Sequence, residues 1–146
     1  MPYTYDYPRP AVTVDVVLFN KTSTGVHCLL IQRKNAPFKG DWAFPGGFLD
    51  MNETLIEAAM RELKEETGIA NINLQQFKTY DAINRDPRHR TLSTVFVAIT
   101  DNINQVAKAA DDAQDVKWWP ISQMPLLAFD HQQILDEILK SKNSTL

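Results

Sequence analysis

Glu62, Glu65 and Glu66 occupy positions i, i+3 and i+4 of one short run, Arg61-Glu62-Leu63-Lys64-Glu65-Glu66. On an α-helix that spacing gathers three carboxylates into a sector of roughly 100°. Like charges held so close repel and disfavour one another's ionised form. A divalent cation turns the repulsion into ligation, because Mg²⁺ takes hard carboxylate oxygens. A solvated surface helix can carry the same composition, so the flanking residues decide between the two. Upstream stand Glu53 and the paired glycines Gly46 and Gly47, whose backbone can turn tightly and approach a ligand closely.

The carboxylates need a helix to hold them, and its ends are legible. Thr54 followed by Glu57 has the form of a capping box, which predicts a start there. Gly68 suits the left-handed residue that closes it. Leu55, Ile56, Ala59, Met60 and Leu63 recur at helical spacing and are expected to face a core. Arg61 lies one turn from Glu57 and from Glu65, where it can orient a carboxylate or steady the loop.

Gly47, Glu53, Arg61, Glu62, Leu63, Glu65, Glu66, Gly68 and Ile69 together spell Gly-x5-Glu-x7-Arg-Glu-Leu-x-Glu-Glu-x-Gly-Ile. This resembles the signature box of the Nudix hydrolases, with every defining position filled. The preceding Trp42-Ala43-Phe44-Pro45-Gly46-Gly47 is similar to the segment that leads into the box in such families. The resemblance implies a mixed β-sheet sandwiched between α-helices, where periodicity alone gives only an α+β domain. It implies Mg²⁺-dependent hydrolysis of a nucleoside diphosphate linked to another moiety, with Mn²⁺ as a possible substitute. Glu62, Glu65 and Glu66 would bind the metal and the Gly47 carbonyl would add a ligand. Glu65, Glu66, Arg61 and Glu53 would form the catalytic set, Glu53 by holding Arg61 and the loop geometry rather than by acting chemically. Family members differ over whether a box glutamate or a residue on a distant loop takes the proton from water. No glutamate lies between Glu66 and Glu137, so a loop base would be an aspartate, with Asp112 and Asp115 as candidates.

Substrate contacts are expected at four further positions. Arg33 ends a predicted strand over 26–32, where it is either solvated or a phosphate ligand. Arg85 and Arg88 fall in Asn84-Arg-Asp-Pro-Arg-His-Arg90, either a charged hairpin tip or a pair of forks for phosphate and ribose oxygens. Phe44 is either core or a ligand platform. The Arg-Asp-Pro-Arg turn and Leu127-Ala-Phe-Asp-His131 resemble the Nudix subgroup that hydrolyses ADP-ribose to AMP and ribose 5-phosphate. Another nucleotide sugar or an oxidised nucleotide remains open as substrate, and so does a non-catalytic ADP-ribose sensor. His131 itself is expected to serve an ordinary polar role.

Strands are predicted over 11–19, 26–32, 74–83, 91–100 and 116–119, and a helix over 130–142 capped by Asp130 with Ile134, Leu135, Ile138 and Leu139 as its apolar stripe. Trp118 and Trp119 should point to opposite faces, one of them exposed. Residues 101–114 are expected to form a surface loop or short helical turn. The 146 residues suit a single domain, 1–146, with a tyrosine-rich arm at 1–9 that would suit a homodimer. A net charge of −3 argues against nucleic acid or an anionic membrane as partner, and no appended basic recognition segment is expected. Without a signal-peptide pattern, a long apolar run or a second cysteine beside Cys28, the cytoplasm is the expected compartment.

Overall fold

The computed structural model describes residues 2–101, 103, 107, 113–143, 145 and 146. The first strand, β1 (Ala11–Thr22), carries an unbroken run of buried residues from Val14 to Asn20, the pattern of a strand covered on both faces. Its alternating side chains go opposite ways. Val14, Val16 and Leu18 pack with Ala58, Ala59 and Leu63 of helix α1 (Leu55–Thr67), while Val17 and Phe19 pack with Ile134, Leu135 and Ile138 of helix α2 (His131–Lys142). Two cores thus lie on either side of one sheet.

Among the described residues that sheet has seven strands. β1 pairs antiparallel with β2 (Gly25–Arg33) and parallel with β6 (Thr91–Asp101), in register from Ala11↔Thr91 to Lys21↔Asp101. β3 (Trp42–Ala43) and β7 (Ala113–Pro120) pair with β2, β5 (Gln75–Tyr80) pairs with β6, and β4 (Gly46–Phe48) pairs with β1. The parallel β1–β6 contact needs a crossover, and α1 lies within it. The result is the mixed sheet between helices that the resemblance implied.

Helix α1 begins and ends as its residues dictate. The Thr54 hydroxyl accepts the Glu57 N–H, the Glu57 carboxylate accepts the Thr54 N–H, and Gly68 closes the helix at φ 78° with its N–H on the Lys64 carbonyl. The inward face differs from the periodic reading at one position. Ile56 is 40% exposed, while Ala58 is fully buried. Leu55 packs toward the sheet in the first turn, and its neighbour, rotated by about 100°, is turned away.

Three other expectations change. Asp130 precedes α2 but makes no side-chain cap hydrogen bond, because both its carboxylate oxygens take Arg85. Neither Trp118 nor Trp119 is exposed: they do take opposite faces, but each face lies under a core cluster. β5 ends at Tyr80, and Ile83 beyond it is 74% exposed. The stretch expected as a loop over 101–114 lies mostly outside the described residues. In the arm, Tyr3 and Tyr5 stack at 6.3 Å and Arg9 covers the Tyr5 ring at 3.8 Å. No described helix is long and apolar enough to cross a membrane.

The capping box and the Ile56 correction can be checked together by urea unfolding. Thr54→Ala should cost about 1 kcal/mol of stability, whereas Ile56→Ala should stay within about 0.5 kcal/mol of wild type.

Candidate active site

β4 runs through a gap too narrow for side chains at its first two positions. A Cβ on Gly46 would collide with the Val14 carbonyl and the Asp15 carboxylate, and one on Gly47 would meet the Glu62 carboxylate at 2.5–2.8 Å. Only glycine lets the backbone lie between β1 and α1. This brings the chain against the acidic face of the helix: Gly46 N–H donates to Glu66 Oε2 at 3.3 Å.

Arg61 organises the carboxylates around that gap. Its Nε and Nη2 grip Glu53 at 2.9 and 2.5 Å, Nη1 reaches Glu62 at 2.8 Å and Glu65 at 3.2 Å, and Nη2 also donates to the Phe48 carbonyl at 3.1 Å. Glu53 in turn accepts the Asp50 N–H. The pairing of Glu53 with Arg61 expected from the sequence is therefore present, while Glu57 is taken by the cap. One guanidinium leaves its partners in opposite states. The two-point grip of Arg61, with the Asp50 N–H, holds the Glu53 carboxyl down at about 2. Burial pushes the Glu62 carboxyl above its ordinary value, helped by Glu65 and Asp50 and opposed by Arg61. Glu66 is buried and Glu65 is half exposed. Among the described residues no three His, Cys, Asp or Glu side chains already close around one point; Glu62 and Glu65 are both turned onto Arg61. The donor set is nevertheless of the hard oxygen type that Mg²⁺ and Mn²⁺ take.

A cavity of about 490 Å³ opens beside these groups, lined by Gly46, Gly47, Glu62 and Glu66 together with Arg33, Arg85, Asp86, Arg88 and Phe129. Arg33 and Arg88 both lie against the Phe129 ring, at 4.9 and 5.6 Å, and Arg88 is 5.6 Å from the Phe48 ring as well. Phe129 adopts φ 52°, a conformation that bulky residues rarely take. Arg33 is anchored through Nε to the Pro37 carbonyl at 2.7 Å.

The four expected substrate residues all line this cavity but differ in what they offer. Arg33 and Arg88 present guanidinium groups beside aromatic rings. Arg85 is buried and gives Nε and Nη2 to Asp130 at 2.9 and 2.7 Å, so two of its donors hold the entrance of α2. Phe44 is 2% exposed, with its ring stacked on His131 at 4.7 Å; packing takes the face a platform would need. Of the two proposed loop bases, Asp112 lies outside the described residues. Asp115 is exposed on β7 opposite Gln32, accepts the N–H of Val116, and is not part of the cavity wall.

Two features escaped the sequence reading. Asp15, inside an apolar β-run, lines the cavity, accepts the Ser93 hydroxyl and lies 3.5 Å from His131 Nε2; a charged residue in such a run is itself a signal, since carboxylates are rarely buried unless paired. Asp86 anchors the arginine turn, accepting the Arg88 N–H, Nε and Nη2 at 2.9, 3.1 and 2.8 Å. Burial pushes the Asp86 carboxyl up, but the Arg88 side chain and N–H outweigh it and hold it at about 2, below its ordinary 3.8. A folded-state value below the unfolded one contributes stability above pH 3.8 that is lost as the pH falls through about 2. Asp86→Asn should therefore flatten the fall of the urea midpoint across that acid window relative to wild type.

The NUDIX domain family model matches residues 9–141. An ADP-ribose pyrophosphatase of Methanocaldococcus jannaschii is 42% identical over 137 residues, covering 94% of this chain and 78% of that protein. An ADPR responsive transcriptional repressor, NtrR of Acinetobacter baylyi, is 34% identical over 95% of this chain, which spans 57% of the repressor's length. Among solved structures, the NUDIX domain of Shewanella oneidensis NrtR complexed with ADP ribose superposes with a TM-score of 0.85 at 34% identity, covering 94% of this chain and 93% of that one. The family match runs from just before β1 into α2, through the box and the whole sheet, and the chain belongs to the NUDIX family.

Proposed function

We propose that the protein is a divalent-metal-dependent pyrophosphohydrolase that cleaves ADP-ribose to AMP and ribose 5-phosphate. The observation that carries this is one cavity lined both by Glu62, Glu66 and Gly47 and by Arg33, Arg88 and the Phe129 ring that these two arginines approach. A diphosphate linking two sugars is a central polyanion between planar or hydroxylated ends, and it matches that combination of metal-type and phosphate-type groups. Its likeness to an ADP-ribose pyrophosphatase over most of both chains supports the substrate class.

Glu62, Glu65 and Glu66, with the Gly47 carbonyl, would hold Mg²⁺ or Mn²⁺; the glycine gap that admits the Gly47 backbone against Glu62 fits that role. When bound, the ion supplies neutralisation of phosphate oxygens and acidification or orientation of water. The chain's own groups do the rest. Arg33 and Arg88 place fixed positive charge at the diphosphate, where planar forks match phosphate oxygens. Glu53 immobilises Arg61, and Arg61 ties Glu62 and Glu65 to the loop at Glu53 and the Phe48 carbonyl. In the overall step a water oxygen bonds to phosphorus, the P–O–P bridge breaks, and the bridging oxygen leaves with one of the two products. Preorganised charge of this kind is usually the largest contribution to catalysis.

The sensor reading has one observation in its favour, the likeness to an ADPR responsive repressor; the fully occupied box favours turnover. The exposed Tyr3 and Tyr7 of the arm, 67% and 80% accessible, support self-association into a homodimer. Sedimentation velocity across a concentration series should then show a dimer that a variant lacking residues 1–9 does not form.

Product chromatography on ADP-ribose, another nucleotide sugar and an oxidised nucleotide, with and without Mg²⁺, tests the main proposal. ADP-ribose should give AMP and ribose 5-phosphate only with the metal, and a folded Glu66→Gln protein should lose about 100-fold or more in kcat. Tight binding of ADP-ribose without turnover in Mg²⁺ would replace the enzyme with a sensor.

A further inference from the structure

A buried polar chain links the far side of the sheet to the glycine gap. Ser93 on β6 donates its hydroxyl to Asp15 Oδ2 at 2.5 Å, Asp15 Oδ1 lies 3.5 Å from His131 Nε2, and His131 Nδ1 accepts the Phe44 N–H at 3.1 Å. His131 is 3% exposed and Ser93 fully buried. An Nδ1 that accepts leaves the imidazole proton on Nε2, facing the Asp15 carboxylate. Three elements, β1, β6 and α2, thus converge on the N–H of the residue that opens the turn into β4.

Burying a carboxylate and an imidazole is costly, and apolar residues of similar volume fill a core equally well. Packing therefore does not explain the pair. The turn it holds has little slack. The Pro45 carbonyl accepts the Val16 N–H at 2.7 Å, Gly46 has no room for even a Cβ, and the Gly46 N–H ends on Glu66 Oε2. A shift at Phe44 passes along this short backbone path to both the Glu66 carboxylate and the Gly47 carbonyl.

We propose that His131, locked by Asp15 and Ser93, is a positioning residue that sets the Phe44–Gly47 turn and, through the Gly46 N–H, aims Glu66. The proposal rests on the hydrolase reading above for its kinetic consequence, and on three hydrogen bonds and the 3.5 Å Asp15–His131 contact for its structural one.

Two near-isosteric variants separate the two ends of the imidazole. His131→Asn keeps an acceptor where Nδ1 was; His131→Gln keeps a donor where Nε2 was and loses the acceptor. The Gln variant should lower kcat on ADP-ribose about 10- to 100-fold, and its KM should stay within about threefold. The Asn variant should recover most of the loss. In wild type, ¹⁵N–¹H spectra of the imidazoles should show His131 with an unprotonated Nδ1 and a protonated Nε2. A Gln variant with wild-type kcat, a folded Asn variant as impaired as Gln, or a protonated Nδ1 overturns the proposal. Should wild type not hydrolyse ADP-ribose, the hydrolase reading fails by itself. Mn²⁺ binding followed by electron paramagnetic resonance then takes the place of kcat: weaker in Gln and kept in Asn supports positioning, and equal affinity in both overturns it. Urea unfolding of each variant sets the folded controls, and the wild-type spectra decide the matter if the Gln protein does not fold.

Discussion

A backbone segment squeezed between a strand and a helix sets the geometry of the site. β4 pairs with β1 on one side and touches the acidic face of α1 on the other, and at Gly46 and Gly47 the gap excludes side chains. Backbone groups can then sit among carboxylates without solvent between them. Every other feature of the acidic face follows from that approach: Glu66 reaches the Gly46 N–H, and Glu62 lies against the Gly47 backbone.

Carboxylates crowded this way would drive one another apart without a counter-charge. Arg61 supplies it unevenly, gripping Glu53 at two points and Glu62 and Glu65 at one each. The strong grip makes Glu53 a fixed part of the scaffold. The weaker contacts leave Glu62 half-buried, and its partial burial raises its carboxyl above the ordinary value.

The arginine turn uses the same principle with the signs reversed. Asp86 takes three donors from Arg88 and Asp130 takes two from Arg85, so each of these two arginines has its own carboxylate, while Arg90 donates to the Asp81 and Ala82 carbonyls. Arg85 is buried in that pairing, whereas Arg88 lies against Phe129 and Phe48 at the cavity. Two arginines three residues apart thus serve different ends, one holding α2 and the other facing the cavity.

Local signals carried far in this chain because they describe local physics. The α1 caps depend on residues three apart, the strands on runs of apolar side chains, and the carboxylate sector on helical pitch, so each was legible without knowing what lay across the sheet. The parts that were not legible involve partners distant in the chain. Asp15 meets Ser93 and His131 across 78 and more positions, Arg85 is claimed by Asp130, and Ile56 turns outward only because Leu55 meets the sheet. Spacing cannot say which of two arginines in a turn finds a buried carboxylate, nor whether Phe44 stacks on a histidine or on a ligand. The residue types settled what chemistry was available; the packing of three layers settled which side chains were free to do it, because burial and pairing are properties of neighbours in space.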